Sequence, residues 1–164
     1  MSSNLSSGNS VCLRVASLSD ATRLLAWRND PATRAASHHS GEIAFLDHLD
    51  WLQSSLAQPG RRRIWIAEKA GVPVGTCRAD LRMDAQETTW ELSWTVAPEA
   101  RGQGVAHKML TELLTTFDAH FIAQVKKDNL ASIKVAQGLG FVLEREDNGV
   151  LLFAKNIGLF KVLD

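Results

Sequence analysis

The sequence predicts one mixed α+β domain, a central, mostly antiparallel twisted sheet of about six or seven strands flanked by about four helices. Three observations predict it. Short segments with two-residue periodicity are interspersed with longer ones in which apolar residues recur every three or four positions. Three strand-like segments in the middle of the chain are separated by turn residues alone, which makes them a meander. One of these strands then passes into a helix through a glycine-rich turn. At 164 residues the chain is long enough for one well-buried core and too short for two ordinary domains.

Residues 1–10 (MSSNLSSGNS) are small and polar, without the basic start and apolar stretch of a signal peptide, and read as a flexible tail before a single domain over 11–164. Residues 11–15 alternate and form the first strand. Ser17 or Ser19 caps a helix over about 20–28, which Asn29-Asp30-Pro31 ends, because proline disfavours helix at the residue before it. Residues 31–42 read as a loop or a short turn of helix. Phe45, Leu49, Leu52 and Leu56 mark a second amphipathic helix, stopped by Pro59-Gly60. The meander follows: 63–69, a turn at 70–73, 74–83, a turn at 84–86, and 88–96. Helical period returns from 102 to about 119, with Val105, Met109, Leu110, Leu113, Leu114 and Phe117 apolar. A short strand at 121–125, a helix at 129–138 and a hairpin of 141–145 and 150–154 complete the chain.

Apolar residues make up 45% of the chain, charged residues 22%, and Lys plus Arg balance Asp plus Glu at 18 each. No basic excess is present to collect nucleic acid, so any bound anion must be held by a local arrangement. No apolar run approaches the roughly 20 residues that cross a bilayer. Cys12 and Cys77 lie far apart with no CxxC and read as two reduced, packed thiols. A soluble, cytoplasmic protein is expected, with no nucleic-acid or membrane partner and either a monomeric or a homodimeric state.

The most informative segment is residues 96–106 (VAPEARGQGVA), between a predicted strand and a predicted helix. Glycine permits backbone conformations closed to other residues and lets a ligand approach the amides. The first amides of a helix lack intrahelical partners, and the helix dipole favours negative charge there. With Arg101 as a fixed cation, the segment is a nest for pyrophosphate. It is neither a Walker A loop nor a Rossmann turn, since it lacks both GKS/T and the GxGxxG spacing.

Arg101, Gly104 and Ala106 match the R-x-x-G-x-A form of the acetyl-CoA signature, and Val96 to Gly104 reproduces the V-x-P-x-x-R-G-x-G sequence that follows the fourth strand of the GNAT acetyltransferases. Asn129, Ser132 and Gly140-Phe141 fill the family's second segment, about 25 residues later. Over residues 11–155 the chain therefore resembles the GNAT family. The resemblance implies the GNAT fold and acetyl-CoA as co-substrate, with no metal. It implies that Arg101, Gly102, Gln103, Gly104, Val105 and Ala106 hold the pyrophosphate, and that the pantetheine arm pairs with the backbone of Trp94, Thr95 and Val96. A backbone N–H near Val96 would then polarise the thioester carbonyl, and Asn129 and Ser132 would touch the pantetheine arm or thiol end. It also places an acidic residue on strand four, here Glu91, to take the proton of the acceptor amine. As an ordinary strand residue, Glu91 suits a salt bridge equally well. Many members carry a tyrosine in the last helix as general acid. This chain has no tyrosine, the matching position is Ala136, and Ser132, a water, Cys12 or Cys77 stand as substitutes.

The resemblance places the acceptor pocket among the first two helices, their connecting loop and the inner strands. That region holds Trp27, Arg28, Asn29, Asp30, Arg34, Ser37, His38 and His39. An arginine-bearing loop beside a tryptophan suits a phosphorylated or sugar-like acceptor, with Arg28 or Arg34 as a bidentate clamp. Packing and capping of the helix end would explain Trp27 and Arg28 as well. The adjacent histidines point in different directions and lack a partner at ligand spacing, so no metal site is expected. The W-R-N-D-P-x-x-R-x-x-S pattern, with His48, Trp51 and Leu52 later, is similar to acetyltransferases of nucleotide amino-sugar pathways and to the group that acetylates ribosomal-protein N-termini. A small-molecule amine, led by a nucleotide-linked amino sugar, is the expected acceptor. A protein N-terminus or lysine, another small amine, or a catalytically silent CoA-binding sensor are the alternatives. Arg61-Arg62-Arg63 reads as a solvated strand entry.

Overall fold

The computed structural model of the chain describes residues 8–83, 87–116 and 118–156, so the turn expected at 84–86, the helical position Phe117 and residues 1–7 of the expected tail lie outside the described residues. The elements are β1 (Val11–Val15), α1 (Ala21–Asn29), α2 (Pro31–Ala36), α3 (Phe45–Leu56), β2 (Arg62–Lys69), β3 (Val72–Met83), β4 (Thr88–Val96), α4 (Val105–Thr116), β5 (His120–Lys126), α5 (Leu130–Gly138), β6 (Val142–Asp147) and β7 (Val150–Lys155). Single turns of 3-10 helix precede α1 and follow β4. The seven strands form one sheet in the order β1-β2-β3-β4-β5-β7-β6. Every pairing is antiparallel except β4 with β5, whose parallel sense requires the crossover that α4 supplies.

The helix α2 is the addition to the expected order. Asp30 has the extended backbone that precedes a proline, and its carboxylate accepts from the Thr33 N–H at 3.1 Å. Asp30-Pro31 thus ends one helix and caps the next, an N-cap followed by proline at the first helical position. The helix α4 is shorter than its apolar pattern suggests, beginning at Val105 because Gly102 and Gly104 both hold positive φ.

Strand alternation divides the core between the two faces of the sheet. On one face, Cys77, Ala79 and Leu92 are buried with Met109, Leu110 and Leu113 of α4. On the other, Ile64 and Ile66 are buried with Leu24 and Trp27 of α1 and Leu52 of α3. Gly75 sits where β3 passes closest to α4 and the end of β4. A Cβ there would stand 2.9 Å from the Thr95 carbonyl oxygen and 3.5 Å from the Met109 sulfur.

Two expectations need correcting. Of Arg61-Arg62-Arg63 only Arg61 is a solvated entry: Arg62 pairs with the buried carboxylate of Asp80, bonds Ser55 and lies over Trp51, while Arg63 lies over Trp90. The guanidinium stems cover apolar surface that the strand would otherwise expose. Of the two thiols, both free, only Cys77 is packed. Cys12 is exposed, because it points away from the core on edge strand β1. Residues 8–10 of the expected tail are held against α4, where the Lys108 ammonium bonds the Asn9 backbone and side-chain oxygens at 3.3 and 3.2 Å. Among the described residues no helix is long and apolar enough to cross a membrane.

Candidate active site

The parallel contact between β4 and β5 is brief. Thr89, Trp90 and Glu91 lie opposite His120, Phe121 and Ile122, and there the pairing stops. Beyond the fork, β4 pairs only with β3, and β5 only with β7. The edge of β4 from Leu92 to Val96 that faces β5 therefore offers backbone donors and acceptors to a ligand that can lie along it as a strand would.

A cavity of about 960 Å³ starts at this fork. One end is lined by Arg101, Gly102, Gly104, Val105, Ala106 and His107, the turn into α4. Gly102 and Gly104 have φ of 75° and 72°, and a Cβ added at either would meet no protein atom within 4 Å. The space beside both glycines is thus open, and the first amides of a helix lack intrahelical partners, as an anion site requires. Leu92, Ser93, Trp94, Thr95 and Val96 line the fork, with Asn129 and Ser132 opposite. The Asn129 side chain caps α5 by accepting from the Ser132 N–H at 3.2 Å. Gln103 lies outside the cavity lining, and its amide donates to the Glu99 carbonyl at 3.4 Å.

Arg101 spans the two ends of the site. Its guanidinium donates to Asp30 at 2.6 Å and to the Thr33 hydroxyl at 3.1 Å. That hydrogen bond, seconded by the Thr33 N–H, holds the Asp30 carboxyl below the usual carboxylate range.

The far end of the cavity is walled by α1, α3 and the loop over 37–44. Of the four acceptor residues expected from sequence, Trp27 and Arg28 line it; Asn29 and Arg34 do not. Asn29 instead clamps the loop, donating to the Ile43 carbonyl at 2.8 Å and accepting from the Ile43 N–H at 2.9 Å. Arg34 donates to the Ser40 carbonyl at 2.9 Å, and Arg28 to that of His39 at 2.5 Å. Three side chains of α1 and α2 thereby fix the wall.

Sequence reasoning did not assign the inner strands' contribution. Arg78 lines the cavity and bonds Asp80 at 2.7 Å, and its guanidinium sits 5.6 Å from the Trp51 ring centroid. His48 stacks against Trp51 at 5.7 Å and is buried. Burial pushes its pKa down, opposed in part by the Ala21 backbone, so the ring is neutral in ordinary buffers. The period-two alternation of β3 marks Arg78 as facing the same side as Thr76 and Asp80, a signal that becomes useful once the side is known.

Glu91 occupies the expected face of β4, but its carboxylate is held by Arg82 at 2.6 Å and it does not line the cavity. Ser93, two residues on along the same face, does line it. Ala136, where a tyrosine would stand, is on the buried face of α5. Burial pushes the Cys77 thiol well above its usual range, and Cys12 is exposed on the far edge of the sheet.

A forked parallel pair, a glycine turn into α4 and one cavity running from that turn to a polar helical wall characterise the domain. The chain belongs to the GNAT acetyltransferase family: residues 10–142 match the Acetyltransferase (GNAT) domain. It is 27% identical over 124 residues, 73% of its length, to Acetyltransferase Pat of Mycolicibacterium smegmatis, and spans only 33% of that relative. Among solved structures it is similar to the yncA acetyltransferase of Salmonella typhimurium with its cofactor acetyl-CoA (TM-score 0.74, 19% identity, 95% of this chain and 99% of the other). It is similar also to ribosomal-protein-alanine N-acetyltransferase from Brucella melitensis (TM-score 0.74, 24% identity, 88% and 99%). FdhC, a nucleotide-linked sugar GNAT, gives a TM-score of 0.74 at 15% identity, covering 90% and 87%. At such identities these are likenesses of fold.

Proposed function

We propose that the domain transfers an acetyl group from acetyl-CoA to the primary amine of a small molecule, with a nucleotide-linked amino sugar as the leading acceptor. The observation that carries this reading is the continuity of one cavity from the Gly102–Gly104 turn, past the open edge of β4, to the Arg28 wall. A donor bound at one end and an amine at the other meet at the fork.

In this reading Arg101 and the amides of residues 102–106 hold the pyrophosphate, the backbone of Trp94, Thr95 and Val96 orients the pantetheine arm, and Asn129 and Ser132 border its thiol end. Arg101 leaves Asp30 for the phosphate. Acetyl-CoA supplies the activated acyl carbon. The amine must arrive unprotonated: its lone pair forms the new C–N bond as the C–S bond breaks, and one proton leaves the nitrogen. Glu91 receives that proton through water at Ser93, and a backbone N–H near Val96 donates to the thioester oxygen. Ser132 or solvent returns a proton to the thiolate, which is a fair leaving group unassisted because a thiol ionises near pKa 8.5.

Thiol release from acetyl-CoA, followed with a thiol reagent across nucleotide amino sugars, amino acids, peptides and polyamines, tests the proposal. Cys12 is exposed and will give a stoichiometric background, whereas buried Cys77 will not. Turnover with amino sugars is expected. Turnover confined to peptides would move the acceptor to protein N-termini, and none with any amine would leave a CoA-binding sensor.

A further inference from the structure

Among the described residues, two buried side-chain polar atoms have no hydrogen-bond partner, Arg28 Nη1 and His48 Nε2. Both residues line the same cavity, at its acceptor end. An orphaned guanidinium N–H and an orphaned imidazole nitrogen are each costly where water is excluded. Two such atoms beside one cavity call for partners that the described residues do not supply.

Their polarities specify those partners. Arg28 gives one nitrogen to the His39 carbonyl and keeps Nη1 as a free donor, and burial, then the charges of Arg34 and Arg78, lower its pKa. Asp80 is committed to Arg62 and Arg78 and Glu91 to Arg82, while Asp30, which Arg101 leaves when phosphate binds, does not line the cavity. Asp47, on α3, is the one acidic residue in the cavity lining. His48 is neutral, with one ring nitrogen facing the Ala21 backbone, so its Nε2 is an acceptor.

We propose that Arg28 and His48 form a two-point acceptor subsite, in which Arg28 takes an oxygen of a phosphate or carboxylate and His48 Nε2 accepts from a hydroxyl or amine of the same molecule. This rests on the reading that the acceptor occupies this end of the cavity, and it narrows the acceptor to hydroxylated amines that carry an anion. Arg78 adds a second positive charge nearby, while its bond to Asp80 keeps its geometry fixed. Polycationic amines are disfavoured by the same field.

The test is binding, so that it is independent of turnover. Glucosamine is compared with glucosamine 6-phosphate and with its uridine-diphosphate conjugate by calorimetry on the CoA-saturated protein. At least one anionic member is expected to bind tenfold or more tightly than glucosamine. Arg28→Gln should abolish that preference, Arg28→Lys should restore part of it, and His48→Phe should weaken the anionic member about fivefold or more. Unchanged thermal midpoint and CoA affinity in each variant establish that the fold is intact. Equal binding of neutral and anionic members, or variants that bind like the wild type, would overturn the subsite. Failure of thiol release with every amine would instead count against acetyl transfer and leave this result standing.

Discussion

Asp20 keeps a charge with 1% of its side chain exposed. Arg14 grips it with two bonds of 2.8 Å, Arg23 adds one of 2.7 Å, and the Ser17 N–H one of 2.9 Å. The Arg14 hydrogen bonds outweigh the burial that opposes ionisation and bring the pKa from an ordinary 3.8 to about 2. The folded value lies below the unfolded one, so the stabilisation is present above pH 4 and is lost as pH falls toward 2. It amounts to about 2 kcal/mol. Denaturant melts of the wild type between pH 6 and 2 should show that loss. Asp20→Asn should flatten the profile over this window and cost about 3 kcal/mol at neutral pH by leaving two arginines without their shared anion. A variant as acid-sensitive as the wild type would remove Asp20 as the cause.

At the scale of the element, the strand β4 and the turn after it carry most of the site. Register fixes the face on which Glu91 stands, with Ser93 next along it, and Arg82 across the strand boundary takes its carboxylate. Glu91→Gln should lower kcat at least tenfold and leave acetyl-CoA affinity unchanged. A kcat equal to the wild type's would take Glu91 out of proton transfer. The glycine turn was the most legible element in the sequence, because its chemistry is local: positive φ at Gly102 and Gly104 and a helix start are consequences of residues within a few positions. The helix α2 was less so. Its signal is Asp30-Pro31 at the head of a helix of only six residues, too short for periodicity to register. The roles of Asn29 and Arg34 were illegible for another reason. Both side chains are polar and both adjoin the cavity, and only the path of the loop over 37–44 decides that they hold backbone.

Over the whole molecule, the sequence carries the order of elements and the glycine turn, while the sheet's topology carries the far wall of the cavity. His48, Trp51 and Arg78 come from α3 and β3 and meet Arg28 of α1 only because α3 lies across β2 and β3 on the face shared with α1. No spacing in the chain encodes that meeting. The same topology opens the fork, since β5 leaves β4 after Glu91 to pair with β7 alone. The long cavity that results joins the Gly102–Gly104 turn to the wall that holds Arg28, which the proposed function reads as donor and acceptor ends. The measurement that bears on this most directly is calorimetric titration of acetyl-CoA into the wild type and Gly104→Ala. A Cβ at Gly104 touches nothing in the protein but stands in the space before the amides, at a φ that disfavours it by about 1–2 kcal/mol. One acetyl-CoA per chain is expected for the wild type, with affinity at least tenfold weaker in the variant, about 1.4 kcal/mol, and the fold retained. No binding to the wild type, or equal binding to both, would contradict the assignment of this turn and the cavity behind it.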